Sequence, residues 1–155
     1  MKKEFFFIAF CLTLFSSCIG NLGFIYKKHL VGNYYLTASD VIEQCALSYH
    51  NEKTDGHNWG EIIGSTVFSV GFNEKFLIAK QGAISYKERD RFHILPWRKE
   101  ERVIGDIRYY ILPIEKNMNW KTKNGLMGPL TELEFQEKRN ALGINALTFS
   151  FNVDI

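Results

Sequence analysis

The stretch "TVFSVGFNEKFLIAKQG", residues 66–82, constrains the fold more than any other in the chain. Two runs of apolar and β-branched residues flank the turn-forming pair Asn73-Glu74, so the segment is predicted to be an antiparallel hairpin. Side chains alternate along a strand with a period of two, which puts Phe68, Val70 and Phe72 on one face with partners from Phe76 and Ile78 across the turn. Such a hairpin must bury a face, and most of the remaining sequence offers further strands for the purpose. "LVGNYYLTASD" (30–40) and "VIEQCALSYH" (41–50) both read as strands, with Val41, Cys45, Leu47 and Tyr49 on one face of the second. "IRYYILPIEK" (107–116) reads as another, pushed toward an edge or a bulge by Pro113, which cannot donate to a ladder. "LTFSFNVDI" (147–155) alternates throughout, with Leu147, Phe149, Phe151, Val153 and Ile155 on one side. "NEKTDGHNWGE" (51–61) is a loop by composition, and the charge-dense segment 84–106 is a long excursion with a short strand at Phe92–Leu95.

One segment departs from the period of two. In "GPLTELEFQEKRNALGI" (128–144), Thr131 and Glu134 form a capping box, each side chain satisfying an otherwise unpaired backbone donor of a first helical turn. Leu130 and Phe135 stand where a hydrophobic staple would, and Gly143 fits the left-handed residue that follows a last turn. A helix is predicted from about Glu132 to about Leu142, with Lys138 and Arg139 toward its negative end. The expected fold class is α+β: an antiparallel β-sheet with one C-terminal α-helix, preceded by a cleaved signal helix.

The signal is read from the first residues. Met1-Lys2-Lys3-Glu4 gives a short basic start, and "FFFIAFCLTLF" follows with Thr13 as its one polar member. The run is too short for a membrane-spanning helix, which needs about 20 apolar residues, and has the layout of a secretory signal. Ser16 and Ser17 sit immediately before Cys18, with Phe15 three positions before it and Leu14 one earlier, an arrangement that resembles a bacterial lipobox. That resemblance implies a diacylglyceryl group on the Cys18 thiol and cleavage just before it. The expected organisation is therefore a lipoprotein signal peptide at 1–17, a tether at 18–29, and a single α+β domain at 30–155.

Lys2, Lys3 and Glu4 would leave with the signal, taking 19 basic and 17 acidic residues to 17 and 16. A nearly neutral domain speaks against a nucleic-acid partner. Of the three cysteines, only Cys45 remains as a thiol in the mature domain, so no internal disulfide can form and the fold rests on packing. Cys45 itself reads as a small buried apolar residue.

The lipobox together with "FNEKFLIAKQ", "YYILPIEK" and "GPLTELEFQEKRNALGI" resembles a family of small bacterial lipoproteins known only as a domain of unknown function. Tyr109, Tyr110, Gly128, Pro129, Leu130, Glu134 and Phe135 are the matching positions, and the likeness runs over roughly residues 18–144. Leu112-Pro113 stands where relatives carry an acidic residue. The resemblance implies a fold and an address, and no activity or cofactor.

Candidate chemistry is sparse. His50, Glu52, Asp55 and His57 are the nearest approach to a ligand group, and a zinc site built from His50, Asp55 and His57 is the one metal alternative. The spacing matches neither a helical histidine pair nor a cysteine-rich site, so a solvated polar loop is the favoured reading and no cofactor is expected. No G-x-S-x-G elbow, Cys–His pair or phosphate-binding glycine loop is present. Trp59, Trp97 and Trp120 lie in polar stretches. In the loop 117–127, Trp120 with Met118, Met127 and Lys121 combines the residue types that favour a partner contact, against the alternative that Trp120 folds down over the sheet edge.

The leading functional reading is a membrane-anchored, non-enzymatic binding module at the cell envelope, held by a lipid at Cys18 and engaging an envelope partner. In a double-membraned host the outer membrane, facing the periplasm, is the expected site, because no acidic residue follows Cys18 at positions 19 and 20. An immunity or inhibitor lipoprotein and a metal-dependent envelope enzyme are the alternatives.

Overall fold

The computed structural model describes residues 23–56, 58–86, 102–115 and 118–153. The segment expected to be a signal, Cys18, His57, the strand expected at Phe92–Leu95, Trp97 and Ile155 lie outside the described residues.

The elements are, in order, β1 (Tyr26–His29), β2 (Tyr34–Ala38), a 3-10 turn (Ile42–Gln44), β3 (Ala46–Tyr49), a one-turn α1 (Glu52–Asp55), β4 (Gly60–Ile63), β5 (Val67–Phe72), β6 (Phe76–Tyr86), β7 (Arg102–Pro113), β8 (Met127–Leu130), α2 (Glu132–Leu142) and β9 (Phe151–Asn152). All pairings are antiparallel, in two sheets rather than one: β1-β2-β3-β4 and β8-β7-β6-β5-β9. With α2 they make three layers. Between the sheets lie Tyr34, Leu36, Leu47, Tyr49, Ile62, Val70, Leu77 and Leu112, all nearly or fully inaccessible. On the other face of the larger sheet, Ile78, Tyr109 and Ile111 meet Phe135 of α2 and Ile144 and Leu147 beyond it.

The larger sheet is therefore covered on both faces, which explains the continuous apolar runs of β6 and β7. Leu77 and Ala79 face the sheet interface while Ile78 between them faces the helix; Tyr110 and Leu112 alternate with Tyr109 and Ile111 in the same way. Pro113 does not displace β7 to an edge. It is the last residue of a central strand, opposite Phe76, where a missing donor interrupts nothing further.

The hairpin expected at 66–82 forms, one residue out of the anticipated register. Val70 pairs with Ala79 and Phe72 with Leu77, so Leu77 and Ala79 share their face, and Ile78 lies opposite Gly71 on the other. The cause is the turn: the Asn73 carboxamide accepts from the backbone N–H groups of both Lys75 and Phe76, making a three-residue connection from Asn73 to Lys75 in place of the two-residue turn expected. A bulge between Val67 and Ser69 removes Phe68 from the alternation.

Other boundaries move as well: the excursion expected at 84–106 is strand at both ends, with β6 running to Tyr86 and β7 starting at Arg102. Tyr26–His29, expected within the tether, form β1 against β2, and Leu30–Asn33 make the turn between them, with Gly32 at φ +56. Val41–Gln44 is a turn and not part of a strand, which leaves β3 only four residues long. The C-terminal alternation yields a strand of two residues, because Leu147 and Phe149 pack on the helix side whereas Phe151 and Val153 pack between the sheets. The backbone at Thr148 and Phe149 crosses over Gly71 so closely that a Cβ there would strike the Thr148 carbonyl.

The helix matches its local signals. Thr131 is the N-cap, its hydroxyl accepting from the Glu134 N–H, while the Glu134 carboxylate accepts from the Thr131 N–H at 2.8 Å; Gly143 closes the helix at φ +67. The hydrogen bonds from the Thr131 backbone and side chain hold the Glu134 carboxyl below its ordinary range. Thr131→Ala is expected to cost about 1 kcal/mol in chemical denaturation. Because the folded-state pKa of Glu134 is depressed, its contribution is complete above the ordinary carboxylate pKa and fades as pH falls through the lowered value. Glu134→Gln should thus differ from the parent at neutral pH and converge with it in acid; a difference that persists in acid would disprove the carboxylate's part in the cap.

Candidate binding recess

The outer face of the four-stranded sheet carries an unusual set of side chains for a surface. Alternation along β2 and β3 sends Leu36, Leu47 and Tyr49 inward, and Tyr35, Thr37, Ala46 and Ser48 outward. Ala46 and Ser48 are nonetheless buried, so β3 is covered on both faces. Thr37 and Ser48 are each only 4% exposed, and their hydroxyl oxygens stand 2.6 Å apart.

The cover is aromatic. Trp59, just before β4, meets Phe24 edge-on at 4.9 Å and Tyr35 at 5.1 Å. The His50 ring stacks on it at 4.2 Å with an interplanar angle of 13°. His50 follows β3 directly; its backbone N–H donates to the Asn33 carbonyl and its Nδ1–H donates to the Asn58 carbonyl at 2.9 Å. The Lys27 ammonium lies 4.5 Å from the Trp59 ring centre. Beneath this group is a recess of about 240 Å³, with Thr37 and Ser48 at its floor, Ser39, Gln44, Glu61 and Ser65 around its rim, and Phe24 and Trp59 as walls. Two larger hollows beside β7, one near Thr66 and one near Thr131, are more open and have no such buried polar floor among the described residues.

The rim at Ser65 is held firmly. The Gln81 carboxamide donates to the carbonyls of Gly64 and Ser65 and accepts from the Tyr110 hydroxyl at 2.6 Å. Thr66 follows at φ +72, a strained conformation for a β-branched residue, where the chain passes from one sheet to the other.

The residues singled out from the sequence are dispersed. His50 is 8% exposed and engaged by Asn58 and Trp59, Asp55 ends α1, and His57 lies outside the described residues. Among the described residues no three histidine, cysteine, aspartate or glutamate side chains gather as a metal-ligand group. Cys45 is fully buried, and burial pushes its thiol up to about 11, the opposite of nucleophilic activation. Met118 is in the core between the sheets, Trp120 packs against that core and over Gly60, Met127 packs on the helix side, and Lys121 is exposed with its ammonium 5.6 Å from the Trp120 ring. The structure brings Trp120 and Lys121 together and separates both from Met127. Thr37, Ser48 and Gln44 carry no local motif; only the pairing of β2 with β3 reveals them.

A two-sheet antiparallel α+β domain with a polar recess on its smaller sheet is the class of protein that emerges. The chain belongs to the family described as "protein of unknown function (DUF3997)", which matches residues 31–154. No curated protein and no solved structure gives a match.

Proposed function

We propose that the protein is a membrane-anchored bacterial lipoprotein that acts as a non-enzymatic binding module at the cell envelope, with the recess as its binding face. The observation that carries this reading is the recess itself, a concave site with convergent polar groups between aromatic walls. The settings of Cys45 and His50 favour binding over catalysis, since one is a buried neutral thiol and the other a ring committed to Asn58 and Trp59.

The address rests on Cys18. Phe24, a wall of the recess, follows Cys18 by six positions, so the intervening chain spans at most about 22 Å at 3.3–3.6 Å per residue. A lipid on Cys18 would hold the recess near the membrane surface, on the outer membrane facing the periplasm in a double-membraned host. Two or three acyl chains, at about 0.8 kcal/mol per buried methylene, suffice for stable anchoring. Cys18→Ala is expected to abolish labelling by radioactive palmitate and to move the protein from the membrane to the soluble fraction with its melting temperature unchanged. Retention on membranes after a high-salt wash would rule the anchor out.

A further inference from the structure

We infer that the recess takes a neutral, hydroxyl-rich ligand, a sugar ring of an envelope glycan, an inference that rests on the binding-module reading above. The floor makes the first demand. Two hydroxyls bring two O–H donors and four acceptor positions, and the single 2.6 Å contact between Thr37 and Ser48 consumes one donor and one acceptor position. The second O–H, on a residue almost wholly buried, has no further protein acceptor among the described residues. Both side chains line the recess, so an occupant must supply an acceptor there and is offered acceptors in return.

The rim narrows the chemistry. Ser39, Gln44 and Ser65 are neutral, and among the described residues of the lining Glu61 is the one charged side chain, an acceptor. Among the described residues no lysine or arginine lines the recess, and the nearby Lys27 ammonium is held over the Trp59 ring, so a phosphate or carboxylate ligand would find no counter-charge on this lining. An ammonium ligand is disfavoured for another reason: Lys27 already stands 4.5 Å over the Trp59 ring and 5.3 Å from that of Tyr35, filling the cation position these rings offer. The His50 ring is also stacked on Trp59 at 4.2 Å, and Phe24 and Ala46 supply the remaining apolar wall. A volume of about 240 Å³ lies just below the usual range of small-molecule pockets and suits one ring rather than an extended chain.

The test is a titration followed by the backbone amide NMR spectrum, using the full chain with Cys18→Ala so that no lipid is required. The probes are a β-1,4-linked N-acetylglucosamine tetramer, maltotetraose and spermidine. Saturable shifts at Thr37, Gln44, Ser48 and Glu61 with either saccharide are expected, with affinity at least tenfold weaker in Thr37→Val/Ser48→Ala. Should that pair fail to fold, Gln44→Ala on the exposed rim is expected to weaken the same titration at least threefold. Shifts with spermidine alone, no saturable shift with either saccharide, or undiminished affinity in a folded variant would overturn the inference. The underlying reading fails separately: a photoreactive residue at Glu61 of the lipidated protein that gives no more envelope adduct than one at Glu137 on the helix would end it.

Discussion

Replacing Phe135 with alanine is expected to cost about 3–5 kcal/mol, against a typical domain stability of about 5–15 kcal/mol. Phe135 is fully buried and stacks against Tyr109 at 4.8 Å and Phe149 at 5.9 Å. It is the only buried residue of α2, so the helix has one deep anchor and no apolar stripe. Arg139 helps: its guanidinium donates at 2.6 Å to the carbonyls of Asn145 and Leu147 while lying 5.3 Å from the Phe135 ring. Loss of the ring should lower the urea midpoint sharply and make the amides of α2 exchange faster than those of β6 and β7. Leu133→Ala is the control, because Leu133 is in the same helix but 70% exposed; its effect should stay within about 0.5 kcal/mol. Equal losses in the two variants would show that Phe135 is not what docks the helix.

The contrast between these two residues marks how far the sequence is legible. The limits and cap of α2 depend on contacts within four residues, and Thr131, Glu134 and Gly143 announce them directly. The position of the β5–β6 hairpin is equally local. Its register is not, because the side chain of Asn73 decides which β6 residues share a face with Val70 and Phe72, and the bulge at Phe68 breaks the alternation of β5. Alternation also says nothing about which sheet a strand joins. β5 is bordered by β9, whose Asn152 carboxamide accepts from Ser69 across 83 positions, and no short-range signal anticipates that.

The recess is the extreme case. Thr37 and Ser48 look like solvent-facing polar residues in two separate strands, and they become a buried pair only because β2 lies beside β3 and Trp59 and Phe24 close over both. His50 stands out in the sequence for its ring nitrogens, yet the structure uses chiefly its flat face, stacked on Trp59. The N-terminal segment illustrates a related point. It reads as a tether because "IGNLGFIYKKH" has no period, but Tyr26–His29 gain a partner in β2 and Phe24 gains one in Trp59, so part of the expected tether is built into the fold and supplies a wall residue of the recess.

Gly60 and Trp120 should behave as one unit in a double-mutant cycle, which tests whether Trp120 is a core residue or a surface offered to a partner. Gly60 begins β4 opposite Tyr49, and a Cβ added there would fall within the Trp120 indole and 2.6 Å from the Trp120 Cβ. Gly60→Ala is therefore expected to cost about 1–3 kcal/mol, as overpacking that lifts the indole from the sheet edge. Removing the indole alone should cost about 3 kcal/mol, at the low end for tryptophan because Trp120 is only half-buried. Glycine is the replacement to use at position 120, since alanine would keep the Cβ that the new methyl meets; any backbone entropy cost of that glycine cancels in the cycle. With Trp120→Gly in place, Gly60→Ala should become nearly neutral, giving a coupling of about 2 kcal/mol between two residues 60 positions apart in sequence. Urea denaturation of the four proteins measures it. If Gly60→Ala costs the same in both backgrounds, the indole does not rest on β4, and Trp120 with Lys121 returns as a contact surface open to an envelope partner.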